Sequence, residues 1–343
     1  MKLVSSCVCG RRIVIPLLFL FGTCYSQVLE QFDYVKLSGK AQGTTYHITY
    51  ENSVKRNLQK DIDSILKAFD LSLSVYIPNS IISRINSNDK TVRVDKLFKD
   101  VFQKSKMISE NTGGAFDITV GPLVNAWGFG PKGRRTPTKS QVDSLLKFVG
   151  MDKVSLVGDK LIKKYPQVSI DVNAIAQGFS VDVVCGFLQS KGVQNYVVEI
   201  GGELKAKGKN SKGDLWKVGV DKPIDGNNAP GEQIQQVLCL NNQAVATSGD
   251  YRKYYEEKGV KYAHHIDPHS GFPAHKTILS VSVISNECAI SDGYATAFMV
   301  SGLDKTKEYL KKHKELDAYI IYSDKNGKYC EFLTDGAKKM IAK

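Results

Sequence analysis

The 343-residue sequence has no internal repeat and no low-complexity tract, which excludes repeat architectures and long disordered segments. Its seven cysteines include no C-x-x-C pair; Cys7, Cys9 and Cys24 lie in or beside the amino-terminal segment, and Cys185, Cys239, Cys288 and Cys330 read as buried small apolar residues, although export permits disulfides. No apolar run is long enough to span a bilayer. Lys2, Arg11 and Arg12 precede the short apolar run Ile13 to Gly22, so residues 1–26 read as an export signal and the mature chain as an exported, periplasmic protein of residues 27–343. Small residues at Cys24 and Ser26 suit cleavage before Gln27, while Gly22, Thr23 and Cys24 form an imperfect lipobox in which Cys24 would carry a membrane lipid anchor. The Arg11-Arg12 pair lacks the rest of a twin-arginine pattern. The formal charge is +12, and removing the three basic residues of the signal leaves +9. No basic run is interleaved with aromatics, which speaks against a nucleic-acid partner and for a solvated basic surface.

What is present centres on Ser280 to Gly302. Leu279, Val281 and Val283 alternate with Ser280 and Ser282, the period of a half-buried strand, and Ala295, Phe298, Met299 and Gly302 read as a helix closed by glycine. The turn between them is expected to hold Ser291 and Asp292. Four residues apart in a helix's first turn, Asp292 and Thr296 point to one side, a place for phosphate and a hard cation; equally, Asp292 merely sits well in a first turn and Thr296 is an ordinary helix residue.

Upstream, Lys40 to Tyr50 reads as a strand entered through Gly43, and Ile62, Ile65, Leu66 and Phe69 as an amphipathic helix. Tyr76, in the turn that follows, is a core aromatic or a ring available for stacking. Lys96 to Asn111 forms a second helix carrying Val101, Phe102, Met107 and Ile108, capped by Thr112-Gly113-Gly114. Gly128 to Gly133 spells G-x-G-x-x-G, but Pro131 sits inside it, the helix Gln141 to Phe148 begins well beyond, and no βαβ unit surrounds it, so a dinucleotide fold is rejected. Val168 to Asp171 reads as a strand running into a helix with Ile175, Phe179 and Val183 on one face, where Gly178 permits close approach of another backbone. Asp171 thereby occupies the same kind of junction as Asp292. The strand Tyr196 to Ile200 ends in Gly201-Gly202, a tight turn or a place where backbone approaches a ligand. Trp216 to Leu240, punctuated by Pro223, Gly226 and Pro230, reads as antiparallel β-structure; the tail after Asp304 reads as a basic helix and a strand at Ala318 to Tyr322. Four of the six histidines fall between His264 and His275, yet neither an H-x-x-x-H on a helix nor a Cys/His pairing appears, which disfavours zinc and favours a histidine base. Strands and helices do not alternate regularly, so the fold class expected is α+β, with mainly antiparallel sheets flanked by helices and a ligand cleft between two interlocked halves.

From Gln42 to Gly302, several ordered segments together resemble the ApbE family of exported FAD:protein FMN transferases: GTTY at Gly43, AFDITVGPLVNAWGFGP from Ala115, SIDVNAIAQGFSVD from Ser169, NYVVEIGGEL from Asn195, AVATSGDYR from Ala244, HHIDPHSGFP from His264 and SDGYATA from Ser291. The resemblance implies a Mg²⁺-dependent enzyme that splits FAD and joins its FMN portion through phosphate to a threonine hydroxyl of a partner flavoprotein, releasing AMP. The expected acceptors are flavin-carrier subunits of NADH:quinone reductase or Rnf-type complexes. It further implies a metal held by the Ala174 carbonyl, Asp292 and Thr296, and FAD contacts from Gln42, Tyr76, Ala115, Phe116, Asp117, Asp171, Gln177 and Ile266. His264 is the expected base, and the Asp292 carboxylate is expected to serve the ion rather than the core. With water in place of threonine, the same site would be an FAD pyrophosphatase; without turnover, the chain would be an exported FAD-binding protein.

Three positions depart from the family pattern. Gln42 stands where relatives often have methionine, Gln177 where they commonly have lysine, and Ala295 where they can carry aspartate. The second change removes a positive charge near the cofactor. Export is tested by the intact mass of the protein from the cell envelope: a mature chain beginning at lipid-bearing Cys24 or at Gln27 is expected, and a chain retaining Met1 overturns the reading.

Overall fold

The computed structural model describes residues 33–131, 136–224, 232–250, 254–257, 260–274 and 277–342. The expected export signal 1–26, Gly133 of the glycine motif, Gly226, Pro230, Tyr251, Arg252 and His275 lie outside the described residues. Strands β1 (Tyr34–Ala41) and β2 (Thr44–Glu51) form a hairpin, followed by helices α1 (Gln59–Leu73), α2 (Ile81–Asn86), α3 (Lys96–Asn111), α4 (Gly121–Ala126) and α5 (Lys139–Leu146). A small hairpin, β3 (Val154–Val157) and β4 (Lys160–Lys163), leads to α6 (Asn173–Ser190), β5 (Tyr196–Ile200) and β6 (Glu203–Lys207). Then come β7 (Trp216–Asp221), β8 (Ile234–Leu240), β9 (Gln243–Gly249), β10 (Tyr254–Glu257), β11 (Val260–Ala263), β12 (Ile278–Ser285), α7 (Cys288–Ser301), α8 (Leu303–Lys312), β13 (Asp317–Ser323), β14 (Tyr329–Leu333) and α9 (Asp335–Met340).

Eight strands make one antiparallel sheet in the order β1-β2-β5-β6-β9-β12-β13-β14, and the other six form three separate two-stranded hairpins. The architecture is the α+β arrangement expected. Strand Lys40 to Tyr50 divides, however: Gln42 and Gly43 both adopt positive φ, 54° and 74°, and form the two-residue turn between β1 and β2. The cap expected after α3 is present, with Gly113 and Gly114 at positive φ and the Gly114 N–H donating to the Ser109 carbonyl at 2.8 Å. Met107 on that helix is exposed rather than buried.

Strand β12 corrects the half-buried expectation. Ser280 and Ser282 are fully buried, as are Val281 and Val283. A register shift between Ile278 and Ser280 rotates the strand, so Leu279 joins the core on the opposite face from Val281 and Val283. On one face Val281, Val283, Ala318 and Ile320 pack with residues of α1, α3, α6 and α7; on the other Ile284, Tyr319 and Ile321 pack against β7, β8 and α9. A third core joins β1, β2 and β5 to Ile62 and Leu66 of α1 and to Val181, Val184 and Leu188 of α6. Helix α6 therefore buries both sides: Ile175 and Phe179 in one cluster, Val184 and Leu188 in the other. Of the cysteines, Cys185 and Cys288 are buried as expected, while Cys239 and Cys330 are partly exposed; all four are free thiols.

Helices α6 and α7 cross at glycine. A Cβ built on Gly178 would press into the Cys288 carbonyl and come within 2.8 Å of Asp292 Cβ, so the absence of a side chain sets the crossing distance. Gly178→Ala is expected to destabilise the protein by about 1–3 kcal/mol through overpacking. Gly186, exposed on the same helix with nothing within 4 Å of a built Cβ, should tolerate alanine and gain up to about 1 kcal/mol of helix propensity. Urea midpoints at unchanged m-value measure both; equal effects of the two substitutions would remove the crossing argument.

Candidate active site

Two carboxylates, half-buried Asp182 and buried Asp292, tie the crossing helices to each other. Asp182 of α6 accepts the N–H groups of Cys288 (3.0 Å) and Ala289 (2.9 Å), the first two residues of α7, and Lys205 of β6 lies 3.2 Å from the same carboxylate. It does the work of an N-cap from another helix. Burial raises the pKa of Asp182, an effect that Lys205 and the two N–H groups oppose. In return, Asp292 of α7 accepts the Gly178 N–H of α6 at 2.9 Å. Residue 174 lies one helical turn before Gly178 on α6, the turn that Asp292 reaches through this bond.

Asp292 therefore lies inside α7, not in the turn before it: the helix starts at Cys288, and the Ser291 N–H already bonds to the Glu287 carbonyl. Its carboxylate also serves the core through Gly178, which corrects the expectation that it serves an ion alone. Thr296 is on the same side of α7 one turn later, and its hydroxyl lies 3.4 Å from Ser248 Oγ of β9. The Ala174 carbonyl, Asp292 and Thr296 offer only hard oxygen donors, a set that fits Mg²⁺.

Asp171 is built differently from Asp292. The segment 168–171 makes only an isolated parallel bridge, Ser169 to Val120, rather than a sheet strand. Its hydrogen bonds explain why: Asn86 both donates to the Ile170 carbonyl (2.8 Å) and accepts its N–H (2.7 Å), and the Asp171 N–H donates to the Ile118 carbonyl (2.7 Å). The Asp171 carboxylate is buried and accepts the Asn173 N–H at 2.9 Å, so burial raises its pKa against only that one opposing hydrogen bond. Tyr76, between α1 and α2, has a ring 60% exposed and available for stacking, which decides against a core role; its hydroxyl end lies near enough to Asp171 that burial and that carboxylate raise its pKa.

The remaining candidates divide into open and structural positions. Gln177 packs its amide where a Cβ on Gly201 would collide with it, beside Thr44 of β2. The Gly201-Gly202 segment is thus a tight turn between β5 and β6, closely approached by the Gln177 side chain. Gln42, one turn of hairpin away, faces the Ser180 hydroxyl at 3.4 Å, and its side-chain nitrogen is buried without a hydrogen-bond partner. The two glutamines thus share a neighbourhood. Ala115, Phe116 and Ile266 are buried in apolar clusters. Both carboxylate oxygens of Asp117 serve the fold, accepting from Thr119 (2.7 and 2.6 Å) and from the Met151 N–H (3.1 Å).

The histidine segment packs against the loop after α4 and the end of β9. Trp127 donates its indole N–H to the Gly271 carbonyl at 2.8 Å, and Phe129 packs edge-on to His264 at 6.4 Å between ring centroids. His264 is half-buried against His265, with ring centroids 4.0 Å apart. His265 is buried and pairs through Nδ1 with Asp250 at 2.7 Å, just beyond the end of β9 and two residues from Ser248. Direct contacts join Gly178 to Asp292, Thr296 to Ser248, and Asp250 through His265 to His264. Asn86, Asp182, Ser248, Asp250 and His265 were missed by sequence reasoning. Asp182 and Asp250 lie within the matching segments SIDVNAIAQGFSVD and AVATSGDYR, but their partners are distant in the chain.

A profile of the ApbE family matches residues 42–320. The chain belongs to the ApbE family. It is 39% identical over 308 residues to a Haemophilus influenzae FAD:protein FMN transferase, covering 85% of this chain and 88% of that one. It is 35% identical to the corresponding protein of Vibrio cholerae, covering 90% and 93%. Among solved structures, the flavin transferase ApbE from Vibrio cholerae superimposes with a TM-score of 0.80 at 34% identity, over 90% of this chain and 99% of that one. The apo flavinyl transferase ApbE of Pseudomonas stutzeri matches with a TM-score of 0.80 at 31% identity, over 90% and 97%.

The buried charge at Asp171 predicts a particular stability profile. Its folded pKa is raised above the ordinary 3.8, so the folded state binds the proton more tightly and stability is lost as pH rises through the folded value. Asp171→Asn, which keeps an acceptor for the Asn173 N–H, is expected to be more stable than wild type at neutral pH by ~1–3 kcal/mol, the scale of a poorly compensated buried group. The difference should close below about pH 4. Urea unfolding across that range measures it; a wild type at least as stable as the variant at neutral pH overturns the claim.

Proposed function

We infer that this protein is an FAD:protein FMN transferase, moving FMN from FAD to a hydroxyl group of a partner flavoprotein. Family membership, the oxygen-only donor set on α6 and α7 and the half-buried imidazole of His264 support this reading. The finer form we propose is Mg²⁺-dependent transfer to a threonine with release of AMP. The threonine oxygen attacks the FMN-side phosphorus, the bridging P–O bond breaks, and its electron pair leaves with AMP. His264 takes the hydroxyl proton, a step worth about 10²–10⁴-fold for a positioned base. Asp292, Thr296 and the Ala174 carbonyl would hold Mg²⁺, which when bound neutralises charge on the diphosphate oxygens. Tyr76 offers an exposed ring for stacking at the Asp171 end.

Gln177 brings no charge to the diphosphate, so either an oxygen-held ion and helix-end amides would suffice for binding or affinity for FAD would be lower. The acceptors we propose are flavin-carrier subunits of NADH:quinone reductase or Rnf-type complexes, met outside the cytoplasm by an exported and lipid-anchored or free chain. Among the described residues no helix is long and apolar enough to cross a membrane, so membrane attachment would rest on the amino-terminal segment.

Incubation with FAD, Mg²⁺ and a carrier bearing the acceptor threonine is expected to add one FMN mass to the carrier and release AMP. AMP formed without carrier would reassign the site to FAD hydrolysis, and intact bound FAD would reassign it to flavin binding. Asp292→Asn, which retains an acceptor for the Gly178 N–H, should fold and lose Mg²⁺-dependent turnover. Unchanged turnover at limiting Mg²⁺ would move the metal elsewhere.

A further inference from the structure

Among the described residues, Asp250, His264 and His265 each place one donor atom within 4.8 Å of the others. From these donors we propose a second metal site, distinct from the oxygen-only set on α6 and α7, that takes a borderline divalent transition ion of the Zn²⁺ class. Two imidazole nitrogens and one carboxylate suit zinc, with a fourth position left for water; the same nitrogens make the site a poor one for Mg²⁺. Motif spacing disfavours zinc here because the carboxylate comes from a strand end, not from the histidine segment.

Three features of the fold preorganise the cluster. The Asp250 N–H donates to the Leu279 carbonyl at 3.3 Å, holding the carboxylate just past β9 beside β12. The histidine segment is braced by the Ala274 N–H on the His265 carbonyl (2.8 Å) and the Asp267 N–H on the Phe272 carbonyl (2.9 Å). His265 Nδ1 and Asp250 Oδ1 already stand 2.7 Å apart, so an ion bound by both would displace the proton shared between them. A cavity of about 1010 Å³ borders the cluster at Asp250, together with Ala263, Ala274, Tyr322 and Lys325.

Occupancy has a functional consequence that rests on the reading of His264 as the base. An imidazole lone pair held by the ion cannot take the threonine proton, so the second ion inhibits the transfer that Mg²⁺ supports.

Co²⁺ reports on such a site through its visible absorption. Titrated into the full chain with Mg²⁺ in excess, Co²⁺ is expected to give a saturable band at one equivalent, bleached by Zn²⁺. The band should disappear in Asp250→Asn and His264→Asn and persist in Asp292→Asn, with thermal melts confirming that each variant is folded. Under the same conditions Zn²⁺ should slow FMN transfer by about 10²-fold or more, as loss of a general base does, and a chelator should restore it. A wild type without a saturable band, or a band that survives both cluster substitutions or vanishes only in Asp292→Asn, overturns the second site. A band that behaves as expected in a protein without transferase activity overturns the proposed function and leaves the metal site standing; full transfer with no band does the reverse.

Discussion

The structure depends on the place where α6 and α7 meet. Gly178 lets the helices approach until backbone touches backbone, and the carboxylates of Asp182 and Asp292 each accept N–H groups of the opposite helix. Neither interaction is available to a looser pair: a methyl group at 178 would push Asp292 away from its donor, and without Asp182 the amino terminus of α7 would be buried with unmet N–H groups. Packing and electrostatics are thus the same constraint viewed from two sides.

That constraint also positions the chemistry. The Gly178 N–H orients the Asp292 carboxylate, so the same group contributes to the fold and to the oxygen donor set. Thr296 follows on the same helix face, and its contact with Ser248 links the crossing to β9, whose end carries Asp250 and, through it, the two histidines. Because β9 lies between β6 and β12 in the sheet, the two chemistries, oxygen donors and imidazoles, are held on one rigid frame. Asp171 is a buried carboxylate that accepts the Asn173 N–H, and its burial raises its pKa.

Much of this was legible in the chain itself. Alternation at Tyr196 to Ile200 and the apolar spacing over Lys96 to Asn111 match β5 and α3, because both elements bury a regular face and end at glycine. Local periodicity failed where burial is two-sided: β12 hides its serines as well as its valines, and a bulge turns Leu279 to the other core. It failed again at Val168 to Asp171, whose extended backbone is satisfied by the Asn86 side chain, a partner that no period encodes.

The sequence by itself determined the α+β class, the family and the residue types from which the site is assembled, since these follow from short-range pattern and from ordered motifs. Only the tertiary structure decided what each acid does. Asp117 closes a turn, Asp182 caps a helix 106 residues away, Asp292 bridges two helices, and Asp250 pairs with His265. The reason is physical: the effect of a carboxylate is set by its burial and by the donors within about 3 Å of it, and those donors are placed by strand pairing and helix crossing rather than by neighbours in the chain.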